Sequence, residues 1–137
     1  MSRIHRSMLL LALTGATVSS AWAADTHVKL SGQEETPPVT TAATGTATIS
    51  VAADKKVSGV VKTTGVDGTA AHIHAGGPGE KGPPVITLEK GENGAWKVPA
   101  DAVLNDEQYA AYQAGKLYIN IHSAANKGGE IRGQIKP

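Results

Sequence analysis

Leu117-Tyr118-Ile119-Asn120-Ile121-His122 decides the fold. Three branched aliphatic residues alternate with three polar-tipped ones, and a period of two is that of a strand with one face in a core. The same alternation runs through Thr44-Gly45-Thr46-Ala47-Thr48-Ile49-Ser50-Val51. Working outward, short β-branched runs bounded by Gly and Pro predict eight strands, at 27–33, 44–51, 56–63, 69–75, 84–88, 95–98, 116–122 and 130–136. The apolar phase of these strands assigns Ile73, Leu117, Ile119, Ile121, Ile131 and Ile135 to the core. The expectation is an all-β, antiparallel Greek-key β-sandwich whose polar strand faces are wet.

One short helix precedes the penultimate strand. Asn105 is placed to cap it, Gln108 stands three residues on as in a capping box, Leu104 can staple against Tyr109, and Gly115 ends it. Between the fourth and fifth runs, Gly76-Gly77-Pro78-Gly79-Glu80-Lys81-Gly82-Pro83-Pro84 contains a G-x-G-x-x-G pattern. Two prolines follow it where a dinucleotide fold needs a helix, so it reads as a tight loop between strands.

The first 23 residues read as a processing signal. Arg3, His5 and Arg6 precede the apolar run from Met8 to Leu13, and Ala21-Trp22-Ala23 fits small-residue cleavage. The run is shorter than the roughly 20 apolar residues of a membrane span. Residues 1–23 are expected to be a signal peptide and residues 24–137 a single domain, exported to the periplasm or secreted. With Arg3 and Arg6 removed, eleven Lys and Arg face twelve Asp and Glu, a net charge of −1. That balance lacks the basic excess of a nucleic-acid binder. The absence of Cys excludes disulfides, thiolate metal sites and a catalytic thiol. Phe is also absent, so Val, Ile, Leu and Ala must build the core.

Any metal must therefore be held by nitrogen or oxygen. His72 and His74 flank Ile73 on one strand, so their imidazoles leave the same face roughly 7 Å apart, within reach of one ion. His122 occupies the polar phase of a second strand. The alternative is a set of solvated histidines on an outer sheet face. Imidazole ligands without thiolates suit copper(II), zinc or nickel rather than calcium or magnesium. Neutral imidazoles are needed, so affinity is expected to fall as pH drops through about 6.5. His27, near the expected mature terminus, is a weaker candidate. Arg132 shares the polar phase and is expected to attract an anion to the ion's open position. Hydrolase chemistry lacks support: no Ser lies in a G-x-S-x-G elbow, and the adjacent Glu34 and Glu35 point apart on an extended chain.

The segments Leu30-Ser31-Gly32-Gln33-Glu34, Pro37-Pro38-Val39, Ala43-Thr44-Gly45-Thr46-Ala47, Thr69-Ala70-Ala71-His72-Ile73-His74, Gly82 to Leu88, Leu117 to His122 and Gly128-Gly129-Glu130-Ile131-Arg132-Gly133-Gln134 occur in this order. In them the sequence resembles the CHRD domain, the module named in chordin and found in bacterial exported proteins. The resemblance implies a β-sandwich and prescribes no activity. Glu35-Thr36 departs from the commoner family pattern before Pro-Pro, leaving the first turn open. A second, partial resemblance is to copper/zinc superoxide dismutase, through the order His72, His74, His122 and Arg132. The bridging His, the zinc loop and the disulfide are missing, so the resemblance implies at most a mononuclear copper site.

Three functions follow as expectations: a metal-binding domain, copper first and zinc second, that sequesters or transfers the ion; a copper-only dismutase-like enzyme; and an adhesion or interaction module without metal. A protein partner is not named by the sequence, and homo-oligomerisation is left open.

Overall fold

The computed structural model describes residues 24–137 and Gly15. The expected signal segment, residues 1–23, lies outside the described residues apart from Gly15. Nine strands form: β1 (Asp25–Ser31), β2 (Thr44–Val51), β3 (Val57–Thr64), β4 (Gly68–Ala75), β5 (Pro84–Thr87), β6 (Glu89–Lys90), β7 (Ala95–Lys97), β8 (Leu117–Ser123) and β9 (Ile131–Ile135). All pair antiparallel in one sheet of order β5-β4-β8-β9-β1-β2-β3-β7-β6. The two halves of the expected sandwich are thus one continuous sheet that curls until its ends approach. Lys90 Nζ donates to the Gly68 carbonyl at 2.7 Å, and Leu88 N to that of Ala71 at 2.9 Å.

Eight of the nine strands were expected. The ninth, β6, is two exposed charged residues on the sheet margin, without an apolar phase to announce it. The first strand also stops at Ser31, because Gly32–Glu34 turn into a short 3-10 helix. The helix α1 (Asp106–Gln113) carries the expected capping box: Gln108 N donates to Asn105 Oδ1 at 2.8 Å, and Asn105 N donates to Gln108 Oε1 at 2.9 Å. Gly115 follows it at φ 72°, the left-handed conformation that glycine adopts without a Cβ penalty. Among the described residues, no helix is long and apolar enough to cross a membrane.

The phase of the strands holds. Ile73, Leu117, Ile119, Ile121, Ile131 and Ile135 all lie in the enclosed core with Val28, Leu30, Ile49, Val61 and Trp96. The opposite face of β4, β8 and β9 departs from expectation. It is not wet: Tyr118, Asn120 and Arg132 are buried, as is His74, while His72 and His122 are half-buried. The physical reason is that loops lie over it. Tyr118 Oη accepts from Gly82 N at 3.1 Å, and Gln134 Nε2 donates to the carbonyls of Gly76 and Gly115 at 2.9 and 2.8 Å. A second, polar layer therefore forms outside the aliphatic core.

Candidate metal centre

Register places the histidines. On β4, His72 stands opposite Asn120 and His74 opposite Tyr118, while His122 on β8 stands opposite Ala70. The alternation that sends Ile73 and Ile121 inward sends all three imidazoles to the polar layer. One nitrogen from each of His72, His74 and His122 lies within 4.8 Å of the others. Two nitrogens bound to one ion at about 2.0–2.1 Å are at most about 4 Å apart, so the cluster closes by small side-chain movements.

One nitrogen of His74 and one of His122 are anchored. Nδ1 of His74 lies 2.8 Å from the Gly82 carbonyl, and Nδ1 of His122 lies 2.8 Å from the Lys127 carbonyl. A carbonyl only accepts, so each Nδ1 carries the proton and each Nε2 presents a lone pair. His122 Nε2 faces His72 Nδ1 at 3.1 Å, and His72 donates to it. His74 Nε2 is buried without a hydrogen-bond partner.

Burial lowers the His72 pKa below the ordinary value, assisted by repulsion from His122 and His74. Burial likewise lowers that of His74, with the Gly82 carbonyl opposing. Both rings are neutral at pH 7. Proton competition at these two positions therefore sets in below the ordinary histidine value of about 6.5.

The loop from Gly76 to Pro83 supplies the His74 anchor, and sterics fix it. A Cβ on Gly82 would fall on the Ala75 carbonyl. Arg132 braces the same loop: Nη1 donates to Glu80 O at 2.7 Å, and Nη2 to Gly77 O at 2.9 Å and Gln134 Oε1 at 3.3 Å. Its guanidinium carbon lies 3.5 Å from the Tyr118 ring centroid, and that ring stacks on His74 at 4.9 Å with 5° between planes. Arg132 is thus on the polar layer as its phase requires, but only 2% exposed. It sits as a brace for the loop, and its charge acts on His74 across the Tyr118 ring. His27 is exposed on β1, 3.4 Å from Thr48 Oγ1 and outside the cluster.

Glu130 pins the loop between β8 and β9 that anchors His122. Its carboxylate accepts from Ser123 Oγ at 2.7 Å, Thr41 Oγ1 at 2.9 Å and Asn126 Nδ2 at 3.3 Å. The Ser123 hydrogen bond first, then those from Thr41 and Asn126, hold its pKa below the usual value against desolvation. A depressed folded pKa contributes stability that is present above the unfolded value of about 4.3 and is lost as pH falls through the folded one. Glu130→Gln is expected to cost about 1–2 kcal/mol at pH 7, because three charge-assisted bonds become neutral. It should also flatten the loss of thermal midpoint on acidification below about pH 4.3. A midpoint that falls as steeply in the variant as in the wild type assigns the acid sensitivity elsewhere.

Sequence reasoning missed Glu35. The pair Glu34 and Glu35 does point apart, Glu34 exposed and Glu35 buried at 7% exposure, but the buried member reaches under Gly129 toward Asn120. The CHRD domain family model matches residues 26–135 of the chain. Neither the curated proteins nor the solved structures contain a match to it.

Proposed function

The chain belongs to the CHRD domain family, and on that premise we propose that it is an exported metal-binding domain that holds one copper ion through His72, His74 and His122, for sequestration or transfer. The observation that carries the reading is the buried His74 Nε2, a lone pair with no partner, beside one nitrogen each of His72 and His122. A buried acceptor left unpaired is costly, and a cation relieves the cost. Three imidazoles without thiolate or carboxylate in the cluster favour copper(II), with zinc next. The Gly82 and Lys127 carbonyls supply the outer support that ligating histidines use to fix tautomer and ring orientation. Copper bound there would supply Lewis acidity and a redox couple. His72 has to shift its proton from Nδ1 to Nε2 for Nδ1 to ligate. Export rests on the residue pattern at 1–23.

Cu(II) titration of the protein, followed by electron paramagnetic resonance, tests the reading. The expected result is one equivalent bound, with superhyperfine structure from three nitrogens. A stoichiometry well below one, or a signal with one nitrogen, overturns it and leaves the interaction module. Dismutation of superoxide above free-copper controls would move the reading from carrier to redox enzyme.

A further inference from the structure

Three buried atoms of the polar layer lack hydrogen-bond partners: Glu35 Oε1, His74 Nε2 and Asn120 Oδ1. Asn120 lies between His72 on β4 and Arg132 on β9 in the register. A Cβ built on Gly129, at φ 123°, would lie 2.5 Å from both Glu35 Oε1 and Asn120 Nδ2, so the carboxyl and the amide meet beneath that glycine.

With His74 Nδ1 protonated and Glu35 ionised, all three orphaned atoms are acceptors. Arg132, which faces Asn120 in the register, directs both of its terminal nitrogens to carbonyl oxygens. A single water has two O–H groups for three acceptors. A cation carrying a water would match all three, the ion taking the imidazole lone pair and the water donating to two oxygens. A cleft of about 200 Å³, lined by Glu35, Thr36, Pro38, Lys81, Asn126 and Gly129 among others, reaches Glu35 from solvent.

We infer that Glu35, together with Asn120, is a positioning residue of the metal centre, accepting hydrogen bonds from the solvent ligand at the ion's remaining coordination position. The inference rests on the metal-binding reading above. It adds an acidic residue 37 positions upstream of the first histidine, one that the histidine pattern does not contain.

Glu35→Gln, nearly isosteric and neutral, is expected to weaken Cu(II) binding roughly ten- to a hundredfold, the usual effect of losing an outer-layer partner. The Cu(II) paramagnetic resonance parameters should shift with it. Burial raises the Glu35 pKa, with Arg132, Asn120, Lys81 and the Thr36 amide opposing, so the metal-free variant should keep or raise its thermal midpoint. Glu34→Gln removes the same charge from the exposed neighbour and should leave affinity and spectrum unchanged. Pulsed electron–nuclear double resonance of the Cu(II)-loaded wild type should show proton couplings of a bound water in H2O that are lost in D2O, a readout that stands if Glu35→Gln fails to fold. Wild-type affinity and spectrum in Glu35→Gln, equal weakening in Glu34→Gln, or no exchangeable water protons each overturn the inference while leaving the three-histidine reading in place. Wild type binding Cu(II) no better than the variant lacking all three histidines overturns both.

Discussion

Replacing His72, His74 and His122 together by alanine is expected to weaken Cu(II) binding about a hundred- to ten-thousandfold, the range gained when ligands are held together rather than met singly. The sheet does the holding. Two imidazoles come from one face of β4 and the third from its paired neighbour β8, and two of the three are tethered to carbonyls before any ion arrives. Little ordering is left for the binding step. Among the described residues, what remains in the variant is His27, exposed on β1, a single imidazole of ordinary weak affinity. The fold should survive, because the histidines belong to the polar layer and not to the aliphatic core. The main losses are the donors to Gly82 O and Lys127 O, about 1 kcal/mol each. Isothermal titration checks the affinity and circular dichroism the fold; a variant that binds Cu(II) as the wild type does would remove the site.

The second large effect lies in the core. Ile119 has no exposed surface and sits in register between Ile73 on β4 and Gly133 on β9. Ile119→Ala is expected to cost about 2–5 kcal/mol, the burial lost plus the cavity left. The upper part of that range applies because the neighbours cannot collapse into the gap. Gly133 offers no side chain, and the place where its Cβ would stand is held by Val28 Cγ1 at 2.6 Å and Lys29 O at 2.5 Å. Against a usual total of about 5–15 kcal/mol, such a loss is a large share. Chemical denaturation should show a lower midpoint at unchanged slope. A loss under about 0.5 kcal/mol would mean that Ile119 faces outward, contrary to the packing described.

The strand phases were legible because side-chain direction alternates strictly along extended backbone. Ile119 and Ile121 could not enter the core without sending Asn120 and His122 the other way, and the capping box of α1 was readable for an equally local reason. The covering of the outer face was not legible. It depends on Arg132 meeting carbonyls of Gly77 and Glu80, some fifty residues away, and nothing local announces such a contact. Arg132 consequently looked like a free cation, and the polar face like a wet one. Glu35 was hidden for a related reason. Adjacent acids normally mark solvent, and only the turn after β1 carries one of them under Gly129. The alternation that separates Glu34 from Glu35 was visible; which of the two would be buried was not.

The anchors of His74 and His122 are main-chain oxygens, those of Gly82 and Lys127. Every amino acid carries that oxygen, so the identity of residue 127 is free to drift while the imidazole it orients stays put. The path of the chain is not free in the same way. Adding or deleting one residue between His122 and Glu130 would carry the oxygen away from the ring, whatever side chains remained. This centre is therefore buffered against substitution in the β8–β9 loop and exposed to changes in its length.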